Sequence, residues 1–217
     1  MTTTNLEDQL QVVLQERTML QHPFYQAWTK GELKIEQLQE YARQYFHFEA
    51  AFPRFLSAIH ARTDSPSVRQ TLLKNLWDEE YGERNHRTLW IEFAEALGVS
   101  RKEVETGQPN NQTTQLIEHF EEKCSNAPIA EAIATIFAYE GQVPNIAEEK
   151  IAGLRDMYNM QPKEYEFFAV HRESDIAHSN AEVEAIRAVC VDEEKTITAT
   201  EDACERLLGF LDGCYDS

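Results

Sequence analysis

FFAVHRESDIAHSNAEVEAIRAV, residues 167–189, decides the reading of this chain. His171, Asp175 and His178 are spaced i, i+4 and i+7, and a helix of ~3.6 residues per turn puts all three on one stripe. The stripe continues through Phe168 before them and through Ile186 and Val189 after them. An apolar stripe is the face a helix buries. Two imidazoles and a carboxylate on that face must therefore be satisfied inside the fold. A metal ion does this well, because it takes lone pairs from neutral His and ionised Asp.

Outward from this stretch, nearly every segment has helical period. Leu6, Leu10, Val13 and Leu14 form a first amphipathic face, with Asn5 and Asp8 suited to its cap. His22-Pro23-Phe24-Tyr25 breaks that pattern, and a short helix through Trp28 follows. From Ile35 a long helix carries Leu38, Tyr41, Tyr45, Phe48 and Phe52, with Pro53 expected to kink it before Phe55. Ser65-Pro66 and Gly98 are start and stop signals for one helix whose stripe is Leu72, Leu76, Glu79, Glu83, His86, Trp90, Phe93 and Leu97. On it Glu79 and His86 stand two turns apart, ~10.5 Å along the axis. Residues 101–110 read as a polar connection before a helix with Leu116, Ile117 and Phe120.

Pro128 opens a helix whose stripe runs Ile129, Ile133, Ile136, Glu140, Ala147, Ile151 and Leu154, bent by Pro144. Pro162 opens the His171 helix. Thr198 with Glu201 resembles a capping box for a last helix bearing Leu207, Leu208 and Leu211. The fold class expected is all-α. One domain over residues 1–217 holds seven to eight helices in a bundle, with 191–217 a C-terminal helix and tail.

A chain of 217 residues can bury a substantial core. Its net charge of −18 disfavours nucleic acid and anionic membrane as partners and reads as a solvated acidic surface. No run of ~18 apolar residues exists to span a bilayer. The start MTTTNLEDQL lacks the basic and apolar regions of a signal peptide, so a cytoplasmic location is expected. Cys124, Cys190, Cys204 and Cys214 have no CxxC pairing, which argues against zinc ribbons and redox dithiols.

Three helices thus place ionisable groups on core stripes: Glu79 and His86, then Glu140, then His171, Asp175 and His178. Singly, each has a bland explanation as a hydrogen-bonded or ion-paired core group. Together, three carboxylates and three imidazoles must be buried without enough Arg or Lys to neutralise them. That set suits two divalent ions better than one, and Fe or Mn better than a thiolate-loving metal. Mixed Glu, Asp and His ligation in a helical bundle is the setting of di-iron and di-manganese proteins, although the paired Glu-x-x-His motif of ferritin-like enzymes is missing here. Glu83 is a candidate seventh ligand.

At Glu79-x6-His86, Glu140 and His171-x3-Asp175-x2-His178 the sequence resembles the heme-oxygenase-like di-metal oxidases. These have a seven-helix bundle related to thiaminase II (TenA) and pyrroloquinoline quinone synthase (PqqC), and the correspondence covers roughly residues 5–190. HPFYQ at 22–26, AYEGQVP at 138–144 and EEKIAGL at 148–154 are similar to the family of the Chlamydia protein associating with death domains (CADD) and its bacterial relatives. Members are para-aminobenzoate synthases of folate biosynthesis that take the ring from a tyrosine of their own chain and the amino group from a lysine.

The resemblance carries those roles onto Tyr25 and Lys150, and sets Tyr41 and Tyr139 among tyrosines near the metal site. It implies two iron ions, or iron with manganese, together with O₂ as co-substrate, an external reductant and a homodimer. The family name implies death-domain proteins as partners. Without the resemblance, Tyr25 reads as a packing residue and Lys150 as a surface lysine. The HPFY break is expected to free Tyr25 from regular helix, letting it approach an oxidant to ~3–4 Å. The alternatives are an oxidase of the same superfamily acting on an external fatty acid or amine, a death-domain-binding protein, and TenA-type thiamine hydrolysis. The last needs a core nucleophilic Cys, and no cysteine falls on the ligand stripes.

Overall fold

Residues 5–216 are described by a computed structural model of the chain; residues 1–4 and 217, part of the domain bounds expected above, lie outside them. The helices are α1 (Leu6–Glu16), α2 (Pro23–Lys30), α3 (Ile35–Arg62), α4 (Pro66–Glu80), α5 (His86–Ala96), α6 (Arg101–Thr106), α7 (Asn111–Asn126), α8 (Ile129–Glu140), α9 (Val143–Asp156), α10 (Glu166–Val189) and α11 (Glu193–Tyr215). Short 3₁₀ turns at Met19–Gln21 and Pro162–Glu164 complete the order, and no strand occurs among the described residues. The all-α bundle is as the periodicity predicts. No helix is long and apolar enough to cross a membrane among the described residues.

α8 is the central rod. Residues 132–140 are buried without interruption, because IAEAIATIFAYE is apolar nearly all round and α7, α10 and α11 pack about it. α3 closes the same core from the side, lined with Tyr41, Tyr45, Phe48 and Phe52. It runs unbroken through Pro53.

Several boundaries differ from the sequence reading. The helix expected over 66–97 is two, α4 and α5, parted at residues 81–85, where Gly82 has φ +92°. Gly98 does end α5, with φ +87°. The helix expected from Pro128 to Leu154 divides at Gly141-Gln142 into α8 and α9. Gln142 bridges the break: its Nε2 donates to the Ala138 carbonyl and its Oε1 accepts from Met19 N. The connection at 101–110 contains α6, whose start is a Ser100–Glu103 capping box. α11 begins at Glu193 under an Asp192 cap rather than at Thr198, whose hydroxyl donates to the Glu194 carbonyl inside the helix.

Tyr25 also lies inside regular helix, contrary to the expectation that the HPFY segment frees it. His22 and Pro23 are a cap and a first helical residue. His22 Nδ1 accepts from Phe24 N at 3.1 Å, while Nε2–H donates to Asp212 of α11 at 2.9 Å. α2 is then held on α9 at the close approach of Trp28 to Gly153. Trp28 Nε1 donates to the Lys150 carbonyl at 3.3 Å, and a Cβ at Gly153 would fall 2.6 Å from Trp28 Cδ1. Only glycine leaves room there. Gly153→Ala should therefore cost about 1–3 kcal/mol by overpacking, read as a lower midpoint in urea unfolding together with a shifted Trp emission.

Candidate metal centre

The α4–α5 break rather than a continuous helix brings Glu79 and His86 together. Glu79 ends one helix and His86 begins the next, and Glu79 Oε2 lies 2.8 Å from His86 Nδ1. The two-turn separation expected along one axis does not exist. Glu83 sits exposed on the intervening loop and joins no ligand group.

His171 rises from α10 toward His86, with ring centroids 4.1 Å apart. Its Nδ1–H donates to the Phe167 carbonyl at 2.8 Å, which fixes the tautomer and leaves the Nε2 lone pair for a ligand. Glu49 of α3 completes this set. Glu49, Glu79, His86 and His171 each offer one atom, all within 4.8 Å of one another and all buried. Sequence reasoning missed Glu49. It sits one turn after Tyr45, between Phe48 and Phe52, on a helix read as aromatic packing, and nothing in that spacing marks it as a ligand.

Glu140, Asp175 and His178 form a second group by the same criterion. His178 Nε2–H donates to Asp78 Oδ2 at 3.0 Å, so Nδ1 is the nitrogen left for a metal or a second proton. It faces Glu140 Oε1 and Asp175 Oδ1, each at 3.5 Å, too long for a good hydrogen bond. His178 Nδ1 and Asp175 Oδ2 are buried without partners. A lone pair aimed at two carboxylates is repulsive unless a proton or a metal cation stands between them. Asn75 holds Glu140 from the other side, its Nδ2 donating to both oxygens at 2.8 and 3.0 Å.

Glu182, one turn beyond His178 on the same stripe, is buried against Glu140, and its oxygens have no other partner among the described residues. It continues the 171, 175, 178 series and was legible there. Asp78 and Asn75 gave no such signal.

The electrostatics favour cations. Among the described residues no Arg or Lys pairs with these acids; their ion pairs are to His. Burial, then Glu79 itself, pushes the Glu49 carboxyl well up, and burial followed by Glu140 and Asp175 does the same to Glu79. Asp175 is carried to about 6 by burial above all. Burial lowers His171, reinforced by His86. Burial also opposes the His178 imidazolium, but Asp175, Glu140 and Asp78 outweigh it and carry that group up to about 11. For Glu140 burial is outweighed by bonding to Glu182, His178 and Asn75, so its carboxyl falls. Two dications would balance the four carboxylates of the two groups and remove the need for protons among them. The residues fit a two-metal centre.

Beside the first group lies a narrow apolar cavity of about 20 Å³, whose lining includes His171, Tyr25, Tyr41, Tyr139 and Lys150. Lys150 is buried, correcting its reading as a surface lysine. Its Nζ donates to the Tyr41 hydroxyl at 2.6 Å and stands 5.3 Å from the Tyr25 ring centroid. Burial lowers its ammonium to about 7, against a smaller raising effect of Glu49. Tyr139 reaches the Tyr45 hydroxyl, and burial raises all four phenols. No disulfide joins the four cysteines; burial pushes the thiols of Cys124, Cys204 and Cys214 up, opposite to what a nucleophile needs.

Residues 39–209 match the family described as iron-containing redox enzymes. The chain belongs to that family. It is similar to the 4-aminobenzoate synthase of Chlamydia muridarum, 41% identical over 96% of this chain and 89% of that one. A protein of the same name from Nitrosomonas europaea is 42% identical over 100% and 94%. The fold is that of a TenA homologue from Pseudomonas syringae (TM-score 0.84, 16% identity, 98% of this chain and 93% of that one). It is also that of a CADD-like protein from Nostoc punctiforme (TM-score 0.78, 18% identity, 97% and 96%).

Two expectations follow. Metal-free protein should take up two equivalents of Mn²⁺ or Fe²⁺ per chain by isothermal titration, and Glu49→Ala should lose one. Binding at the second group must displace the His178 proton, so its affinity should fall about tenfold per pH unit from pH 9 to 6, and about a hundredfold per unit below ~6, where Asp175 is protonated too. Separately, Lys150 binds its proton more weakly folded (about 7) than unfolded (about 10.5). Between those values the unfolded chain holds the extra proton, so stability rises with pH by about 1.4 kcal/mol per unit from this group. The stabilisation of Lys150→Met over wild type should therefore be largest near pH 7 and shrink toward pH 10 in chemical unfolding.

Proposed function

We propose that the chain is an oxygen-dependent 4-aminobenzoate synthase serving folate biosynthesis, with Tyr25 as the source of the ring and Lys150 as the source of the amino nitrogen. Glu49, Glu79, His86 and His171 would hold one metal ion, and Glu140, Asp175 and His178 the other: two irons, or iron with manganese. When bound, the pair supplies the oxidising chemistry of O₂, with electrons from an external reductant.

The support is what fills the space beside the metals. A cavity of about 20 Å³ admits a diatomic molecule but no fatty acid or arylamine. The rings standing there are the protein's own. Tyrosine carries its Cβ and hydroxyl para to each other, as 4-aminobenzoate carries its carboxyl and amino groups. The Tyr25 Cβ can thus become the carboxyl carbon once its bond to Cα breaks, and nitrogen can replace the phenolic oxygen. Lys150 is placed for that replacement, 5.3 Å from the ring centroid and near neutral at physiological pH, so that its lone pair is available. Tyr41 orients the amine through its hydroxyl. Each chain then yields about one product and is spent.

The test is aerobic incubation of protein carrying ring-labelled tyrosine with ferrous iron and a reductant. Labelled 4-aminobenzoate and a mass loss mapped to the peptide containing Tyr25 are expected; Tyr25→Phe and Lys150→Arg should each lower the yield at least tenfold. Unlabelled product, or multiple turnovers by Tyr25→Phe, would assign the chain to oxidases of external substrates instead.

A further inference from the structure

A second opening reaches the metal ligands from the opposite chemical world. Glu49 and Glu79 form the floor of a polar cleft of about 360 Å³ whose walls include Ala50, Pro53, Glu80 and Arg87. Its cause lies in the local sequence. Pro53 has no N–H to give the Glu49 carbonyl four residues earlier, so that carbonyl lacks its helical donor although α3 continues through it. On the facing side the helix is interrupted at residues 81–85, all exposed or half-exposed.

We propose that this cleft is the port through which hydrated divalent cations enter the Glu49, Glu79, His86, His171 group, with Glu80 and Arg87 on its rim setting the rate. The inference rests on the reading of that group as a metal site. The aromatic cavity on the other side, about 20 Å³ and bounded by Lys150, is too narrow and too apolar to pass an aquo ion. The cleft is wide enough, and it ends on a receiving ligand. Glu49 is only 3% exposed and accepts no hydrogen bond from any described residue, yet its side chain lines the cleft. An arriving ion can exchange water for this carboxylate before the imidazoles are engaged.

Arg87 makes the arrangement specific. A guanidinium on the wall would ordinarily pair with such acids and block the way. Instead it is drawn off to Glu105 of α6 at 3.8 Å and lies over the Phe46 ring at 5.3 Å. The floor acids stay unneutralised, and Glu80 adds negative charge at the mouth, where a cleft with low-dielectric walls focuses the field of an acidic protein on incoming cations.

The test follows Co²⁺ entering metal-free full-length protein by stopped-flow absorbance, with final occupancy measured separately by elemental analysis. Ala50→Trp, which narrows the cleft, and Glu80→Lys, which reverses the rim charge, should each slow uptake roughly tenfold. Arg87→Gln should hasten it, and Glu118→Lys on the exposed side of α7 should match wild type. All four should reach the wild-type occupancy. Wild-type rates in both Ala50→Trp and Glu80→Lys, or equal slowing by Glu80→Lys and Glu118→Lys, would overturn the port while leaving the metal site standing. A wild-type protein that takes up no ion at equilibrium would remove both.

Discussion

Four carboxylates and three imidazoles share a buried centre, and among the described residues no Arg or Lys pairs with them. Burying one such charge unpaired costs several kcal/mol, and the proteins that manage it bring a counter-charge of their own. The helices here do the opposite. α3, α4, α5, α8 and α10 each point an acid or an imidazole at a common centre, and Asn75, Asp78 and the Phe167 carbonyl hold those groups in orientation from behind. Orienting partners of this kind, aimed at a lone pair with nothing of the protein's own in front of it, are what a metal requires of its surroundings. The rest of the bundle is packed to keep that centre in register.

How legible this was depended on whether the information ran along one helix or between several. His171, Asp175 and His178 could be placed on one face because α10 is unbroken and its period is regular. Glu79 and His86 were found for a partly wrong reason. Their stripe holds its period across YGERN, so one helix was read where there are two; Gly82 was the clue, and its positive φ marks the break. The error reversed the geometry, since two turns of separation became a direct contact. Tyr25 was misplaced through an inconsistency. Ser65-Pro66 reads as a helix start, while His22-Pro23, which opens α2 in the same way, reads as a break that holds Tyr25 out of the short helix following it.

Glu49 shows a different limit. Among Tyr45, Phe48 and Phe52 it looks like the polar edge of an aromatic face, and only the approach of α3 to α5 and α10 makes it a neighbour of His171. No spacing along the chain encodes that approach. Glu182 was within reach, because it continues the 171, 175, 178 series, but it coordinates nothing in the two groups and acts on Glu140 from behind. Adding Glu49 changes more than a count. With three carboxylates two dications would carry surplus positive charge; with four the charges cancel, and a buried centre without net charge costs less to desolvate.

The two openings into this centre divide its chemistry. On the Glu49 side the walls are polar and wet, suited to ions that arrive hydrated. On the His171 side they are phenol, phenyl and a depressed lysine, with room only for a small apolar molecule. An enzyme that turns over external substrate needs its larger opening on the reactive side, so that substrate and product can exchange. Here the larger opening serves the polar side, and the space on the reactive side is filled by rings covalently part of the chain. That inversion makes sense if the substrate never has to enter. It also explains why Lys150 is kept buried despite the desolvation that depresses its ammonium. An exposed amine would be protonated and free to wander, whereas one pinned to Tyr41 is neutral half the time and already beside the Tyr25 ring that we propose it joins.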